Sequence, residues 1–185
     1  MPGEAEDAVV PCGPFLRKGP GSLLLLDDTP TFLNGMNVAW IRYPDFAGGS
    51  GPPTLPSLCG VEDAMRFLVS NGGNALRIWL LQEPGQSLIW NHHGSVDGLA
   101  EGVQLMAESM LQLAAQFGIK IIFVLFNGAL VRGSRACSLF QRADVLESLL
   151  ENAIRPLANA LRGYDSLAMW ETINEPEGLI DASRA

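Results

Sequence analysis

The alternation of strand-like and helix-like segments along this chain predicts an α/β fold with a parallel sheet. Four short apolar runs begin near residues 35, 74, 119 and 167, and amphipathic stretches separate them. Such alternation implies parallel strands joined by right-handed crossovers. Two architectures fit, an open doubly wound sheet and part of a (β/α)8 barrel. The chain lacks G-x-G-x-x-G after the first run and lacks G-x-S-x-G, which disfavours a dinucleotide-binding fold and an α/β-hydrolase.

The individual elements are predicted from apolar periodicity and from the Gly and Pro residues at their ends. Residues 1–21 are rich in Gly and Pro and lack periodicity, so we expect a loose tail ahead of one unit over residues 22–185. The elements predicted for that unit are, in chain order, a hairpin (23–33), a strand (35–41), a Gly/Pro-rich loop (43–56), a helix (61–70), a strand (74–81), a loop (82–97), a helix (98–117), a strand (119–126), a loop to Gln141, a helix (143–161) and a strand (167–173).

Three of these elements carry a pattern that predicts their environment. In the second core strand, alternation puts Arg77 and Trp79 on one face and aliphatic residues on the other. The run at 119–126 is apolar throughout, as in strands that are covered on both faces. Pro156 lies inside the last helical stripe, where it should kink or split the helix.

Composition limits the function without defining it. The 185 residues suffice for one domain, and a formal net charge of −8 argues against a nucleic-acid partner, because phosphates require a basic surface. We expect no membrane partner, since no apolar run approaches the ~20 residues that cross a bilayer. The acidic N-terminus does not resemble a signal peptide.

The cysteines and histidines predict neither a metal site nor a cofactor. Cys12, Cys59 and Cys137 are widely spaced and form no C-x-x-C, and no cysteine lies near His92 and His93. One disulfide with a spare thiol and three free thiols both fit this spacing.

The stretch at 167–178, L-A-M-W-E-T-I-N-E-P-E-G, is the most informative part of the chain. Its first half has the composition of a buried strand. Pro176 then ends the run and should hold Glu175 in an extended backbone conformation. A carboxylate is therefore predicted at the C-terminal tip of a parallel strand, which is the end where α/β folds bind ligands.

The other strand ends also carry polar or aromatic residues. An acid surrounded by amides, an arginine and indoles suits a sugar, because indoles stack on the C–H faces of pyranoses and amides bind hydroxyls. A carboxylic acid with a raised pKa protonates a glycosidic oxygen. The candidate residues are Trp40, Arg77, Trp79, Asn127, Asn174 and Glu175.

On these residues the chain resembles glycoside hydrolase family 5, and within it the animal-type endo-β-1,4-mannanases. The stretches that carry the resemblance are F-L-N-G-M-N-V-A-W at 32–40, N-A-L-R-I-W at 74–79, F-N-G-A at 126–129, A-I-R-P-L-A-N-A-L at 153–161 and W-E-T-I-N-E-P-E-G at 170–178. The resemblance covers residues 21–178. It implies a (β/α)8 barrel truncated to about its first four units, a mannan-type polysaccharide substrate, no cofactor and an extracellular location.

The resemblance also implies a role for several residues. Glu175 would be the general acid/base of a retaining double displacement, Asn174 would bind the sugar 2-hydroxyl, and Arg77 would orient the nucleophile. Trp40, Trp79 and Asn127 would contact the substrate.

The chain departs from the family pattern at the nucleophile. The family supplies it as a second glutamate at the end of the seventh strand, ~5–5.5 Å from the acid. This chain stops after the fourth, and Glu171 and Glu177 are too close to Glu175 along the chain to lie across the sugar from it. We therefore expect an N-terminal half-barrel that is inactive alone and self-associates through its open edges. A non-catalytic carbohydrate-binding or vestigial fragment is the alternative function, and β-1,4-glucan is the alternative substrate.

Each candidate residue also has a structural interpretation. Arg77 would serve as an ion-pair partner, with Glu171 as the candidate anion. Trp40 and Trp79 would be core aromatics, Asn127 a turn residue and Glu175 a solvated loop carboxylate. The adjacent histidines, 92 and 93, would form an exposed loop pair.

Overall fold

The computed structural model describes residues 15–41, 55–81, 84–128 and 135–177, with the side chains of 55–57 excepted. The predicted tail before Phe15, most of the loop predicted over 43–56, Cys12 and the last eight residues lie outside the described residues.

The described chain begins with a small antiparallel sheet of order β1-β2-β3. Its strands are β1 (Leu16–Lys18), β2 (Leu24–Leu26) and β3 (Thr29–Thr31). The predicted hairpin corresponds to β2 and β3. The prediction of a loose tail over 1–21 is wrong for β1, because β1 pairs with β2 along its whole length.

The rest of the described chain alternates strands and helices. The strands are β4 (Gly35–Val38), β5 (Ala75–Trp79), β6 (Leu88–Trp90), β7 (Val96–Leu99), β8 (Lys120–Asn127) and β9 (Leu167–Asn174). The helices are α1 (Leu55–Ser70), α2 (Pro84–Ser87), α3 (Val103–Phe117), a 3₁₀ turn (Arg135–Cys137), α4 (Ser138–Gln141), α5 (Ala143–Leu149), a π-helical segment (Leu150–Ile154) and α6 (Arg155–Leu161). None of these helices is long and apolar enough to cross a bilayer.

The central sheet has four parallel strands in the order β4-β5-β8-β9. This confirms the predicted parallel α/β arrangement, with each strand next to the one that follows it in the repeat. The face of β5 that bears Leu76 and Ile78 is buried in the hydrophobic core, and so is Phe123 of β8. The opposite face bears Arg77, which is partly buried between the buried Ala75 and Trp79.

The fourth core strand is less buried than the sequence predicted. No residue of β9 is fully buried, and Met169 is exposed. Among the described strands β9 pairs only with β8, so it forms an outer edge of the sheet and has no strand on its far side.

Several predicted boundaries differ from the observed ones. The helix predicted over 98–117 begins only at Val103, because Gly102 adopts a left-handed conformation with φ of 85° ahead of it. Leu99, predicted to lie on that helix, is in β7. In the other direction, α1 begins six residues before the predicted start at residue 61.

The loop predicted over 82–97 contains a hairpin formed by β6 and β7. The side chain of Asn91 closes its turn: Oδ1 accepts the backbone N–H groups of His93 and Ser95, each at 3.0 Å. The flanking apolar runs are only a few residues long, which is why the sequence pattern did not reveal two strands.

The predicted disruption at Pro156 is present as the π-helical segment that precedes α6. Proline has no N–H to donate to the carbonyl of residue 152, so regular α-helical bonding cannot pass through this point. The π-helical segment and the preceding helix α5 also anchor the hairpin. Ser148 Oγ accepts the N–H of Val96 at 2.9 Å, and Asn152 Nδ2 donates to the carbonyl of Val96 at 2.8 Å.

The small sheet lies near the amino-terminal end of β8. Lys120, at the start of that strand, is buried and donates from Nζ to the carbonyl of Asp165 at 2.8 Å. Burial lowers the pKa of Lys120, while the carboxylates of Asp165 and, more weakly, Asp27 raise it. Asp27 belongs to the β2–β3 turn, so that turn approaches the end of the sheet opposite to the candidate residues.

We expect Asn152→Ala to lower the free energy of unfolding by about 1–3 kcal/mol, because the carbonyl of the fully buried Val96 loses its donor. Urea denaturation followed by circular dichroism measures this change. Asn159→Ala, on an exposed position of α6, is the matched control and should have little effect. Equal destabilisation by both substitutions would contradict the anchoring contact.

Candidate active site

Arg77 and Glu171 form a bidentate ion pair on the face of the sheet that lies opposite to the hydrophobic core. Arg77 Nε donates to Glu171 Oε2 at 2.7 Å, and Nη2 donates to Oε1 at 2.5 Å. The side chains are 23% and 33% exposed, so both charges are partly withdrawn from water. Because β8 lies between β5 and β9, the pair spans three adjacent strands.

The same guanidinium holds two asparagines. Nη1 donates to Asn37 Oδ1 at 2.7 Å, and Nη2 donates to Asn174 Oδ1 at 2.8 Å. Asn174 Nδ2 in turn donates to Asn127 Oδ1 at 3.3 Å. Arg77 therefore fixes the orientation of the Asn174 amide, with Oδ1 toward the guanidinium and Nδ2 toward Asn127. Each of the four core strands contributes a side chain to this network.

The structure thus brings together Arg77, from the middle of its strand, and Asn127 and Asn174, from the ends of theirs. Sequence reasoning missed Asn37 as a member of the network. Its signal is visible only after strand pairing is known, because Asn37 is the register partner of Arg77. The ion pair with Glu171, which the sequence offers as the structural interpretation of Arg77, is present.

Trp40 and Trp79 form an edge-to-face pair beside this network. Their ring centroids are 5.4 Å apart at an interplanar angle of 77°. Trp40 is 44% exposed, whereas Trp79 is only 8% exposed. The guanidinium carbon of Arg77 lies 6.0 Å from the Trp79 ring. Trp79 Nε1 is buried and has no hydrogen-bond partner among the described residues.

Glu175 follows β9 directly and is exposed. Its φ is 50°, so the extended conformation predicted from Pro176 is wrong. A left-handed backbone is uncommon outside Gly and Asn, and it costs about 1–2 kcal/mol. The residue turns the chain away from the strand at the point where the Asn174 side chain is held in the network, and the carboxylate stands at the carboxyl end of the sheet.

The histidines and cysteines lie apart from the Arg77 network. The rings of His92 and His93 lie tilted against each other, with centroids 3.7 Å apart, at the exposed turn of the hairpin. Cys59 and Cys137 are free thiols, one exposed and one half-buried. Within the described residues, no group of three or more His, Cys, Asp or Glu side chains is arranged to hold a metal ion.

Four parallel strands with intervening helices, and with polar side chains gathered at their carboxyl ends, define a partial (β/α)8 barrel. The doubly wound alternative is excluded by the solved structures that this chain resembles. The β-1,4-D-mannanase from Cryptopygus antarcticus superposes with a TM-score of 0.82 at 33% identity, and covers 90% of this chain. The endo-1,4-β-mannanase from Eisenia fetida superposes with a TM-score of 0.81 at 30% identity, and covers 89%.

Sequence comparison identifies relatives of the same kind. The chain is 35% identical over 166 residues to a mannan endo-1,4-β-mannosidase from Cryptopygus antarcticus, and 32% identical over 155 residues to one from Mytilus edulis. No protein-family model matches the chain. The chain is thus homologous, over most of its length, to part of these mannan endo-1,4-β-mannosidases.

The chain spans less than half the length of these relatives. It corresponds to 43% of the Cryptopygus sequence, 41% of the Mytilus sequence and 45% of each of the two solved chains. Four strands of an eight-stranded barrel agree with that proportion.

We expect Glu171→Gln to lower the free energy of unfolding by about 1–3 kcal/mol, because the partly buried Arg77 loses its counter-charge and one charged hydrogen bond. Urea denaturation measures the loss. Asp144→Asn, which removes the anion from the exposed pair with Arg142, is the matched control and should change stability little. A Glu171 variant as stable as the control would show that the ion pair contributes nothing to the fold.

Proposed function

We propose that this chain supplies the acid/base half of the active site of an endo-hydrolase of β-1,4-mannan, acting by a retaining double displacement. The observation that carries the proposal is the network in which Arg77 fixes the Asn174 amide immediately before Glu175. Its position at the carboxyl ends of parallel strands supports a catalytic role, because barrel enzymes place their reacting groups there. The homology to mannan endo-1,4-β-mannosidases supports the substrate class.

Glu175 is the proposed proton donor to the glycosidic oxygen. After the leaving sugar departs, the same carboxylate takes a proton from the water that hydrolyses the glycosyl-enzyme intermediate. Exposure of Glu175 at the strand end leaves it open to a polymer that enters from solvent.

Asn174 is the proposed ligand of the sugar 2-hydroxyl. Its Oδ1 accepts from Arg77, so the substrate meets the amide nitrogen rather than the oxygen. That nitrogen carries two N–H groups, of which one points to Asn127, and the second serves the sugar.

Arg77 is proposed to orient the nucleophile, which we place outside the described residues. A guanidinium has five N–H donors, and four contacts to Glu171, Asn37 and Asn174 are made here. The remaining Nη1–H is the donor assigned to the nucleophile. The carboxylate of Glu171 is engaged by Arg77 and is therefore a poor nucleophile itself.

Trp40 is the proposed stacking platform for a sugar ring, since 44% of it is exposed, and Trp79 supports it from behind. Asn127 is the last of the proposed substrate-binding residues, and its Oδ1 accepts a hydrogen bond from Asn174 Nδ2. An extracellular location is part of this proposal, because polymeric mannan does not cross a bilayer.

We expect the full-length protein that contains this chain to release reducing sugars from β-1,4-mannan. Glu175→Gln keeps the shape of the side chain but removes the proton donor, so turnover should fall by ~10²–10⁴-fold. An activated aryl mannoside, whose leaving group needs no proton, should lose far less in the glycosylation step. Hydrolysis of carboxymethylcellulose but not mannan would favour the glucan alternative, and mannan binding without hydrolysis would favour a non-catalytic binding protein.

We expect residues 1–185 alone to self-associate and to leave mannan intact. Strands β4 and β9 each have one unpaired edge within the described sheet, and such edges pair with other chains. Light scattering gives the mass, and a reducing-sugar assay gives the activity. A monomer with a cooperative unfolding transition would refute the expected association, and hydrolysis by that monomer would show that residues 1–185 already contain a nucleophile.

A further inference from the structure

We infer that Gly128 is a positioning residue for Glu175, because the backbone of Glu175 occupies the space that any side chain at position 128 would need. This inference rests on the proposed function of Glu175 as the acid. The two residues lie at neighbouring strand ends, since Asn127 and Asn174, which precede them, are register partners in β8 and β9.

The atoms that a side chain at position 128 would meet all belong to the backbone of residues 174 and 175. A Cβ added at Gly128 would lie 2.2 Å from the carbonyl oxygen of Glu175, and 3.1 Å from both its carbonyl carbon and the carbonyl oxygen of Asn174. Real Cβ atoms essentially never come within 3.0 Å of such neighbours. If the neighbouring atoms belonged to a flexible side chain, that side chain could rotate away. The peptide groups of Asn174 and Glu175 cannot move in this way.

The requirement for glycine at this position is one of space rather than of conformation. The described glycines with positive φ are residues 21, 72, 94, 102 and 118, and Gly128 is not among them. Glu175 is instead the residue with the uncommon left-handed backbone, at φ of 50°. Gly128 is buried, and a methyl group added there would have to displace the carbonyl of Glu175. A methyl group at 128 therefore acts on the acid without touching its carboxylate.

The test compares Gly128→Ala with Gly163→Ala and Glu175→Gln in the full-length protein. Gly163 is the matched control, because a Cβ added there would meet nothing within 4 Å and its φ is not positive. We expect Gly128→Ala to lower kcat on mannan by ~10²-fold with little change in KM, as expected when a catalytic group is displaced by about 1 Å.

The same variant should lose much less in the glycosylation step of an activated aryl mannoside, as expected for Glu175→Gln, because that leaving group needs no proton. A merely structural role would lower the rates on both substrates alike. Gly163→Ala should match the unsubstituted protein on both. Equal loss on the two substrates, or unchanged mannan turnover, would overturn the inference.

A second measurement separates this inference from the proposed function. In protein labelled with ¹⁵N-glutamate, the amide resonance of Glu175, identified by its loss in Glu175→Gln, should shift in Gly128→Ala and stay in place in Gly163→Ala. An unmoved resonance would refute the contact even in an active enzyme. If the resonance shifts but the unsubstituted protein hydrolyses no mannan, the contact stands and the proposed function fails.

Discussion

The ion pair between Arg77 and Glu171 organises the inner face of the sheet. It joins residues 94 positions apart in the sequence, and it puts a partly buried charge in each of two strands that are not themselves paired. A partly buried guanidinium without a counter-charge is costly, so the pair is sensitive to the relative placement of β5, β8 and β9. The asparagines at positions 37 and 174 accept from two of the three donors that the ion pair leaves over, and their side-chain orientations therefore depend on the pair.

Register links this polar network to the hydrophobic core. The side chains of a strand alternate between two faces, so a slip of one residue in β5 would move Arg77 into the core and Leu76 or Ile78 onto the polar face. The two aliphatic side chains are fully buried, and each contributes about 1.5–3 kcal/mol through burial. The apolar face of β5 thus sets the strand register that the ion pair on the opposite face requires.

The end of β9 departs from strand alternation where the site needs it. Glu171 and Asn174 are three residues apart, so strict alternation would direct them to opposite faces, yet both bond Arg77. Asn174 is the last residue of the strand, and the left-handed turn at Glu175 follows immediately. One short segment thereby supplies the ion-pair partner Glu171, the amide of Asn174 and the carboxylate of Glu175. Gly128, at the end of the neighbouring strand, has no side chain and leaves space for the backbone of this segment.

The sequence by itself determined the order of parallel strands and helices, the two faces of β5 with Arg77 on one of them, and the presence of Asn127, Asn174 and Glu175 at strand ends. These features follow from local periodicity and from Gly and Pro, which act within a few residues. It also revealed the homology on which the proposed function depends. The hairpin of β6 and β7 escaped prediction because its strands are too short to show a period.

Only the tertiary structure decided how these residues meet. From the sequence, an ion pair with Glu171 and a role in the site are alternative interpretations of Arg77. The structure shows that one guanidinium binds Glu171 and Asn174 at the same time. Asn37 enters the network through strand register, and Gly128 is required through the approach of two backbones. The left-handed conformation of Glu175 opposed the local preference set by Pro176. Each of these features depends on contacts between distant segments, and local sequence preferences carry no information about such distances.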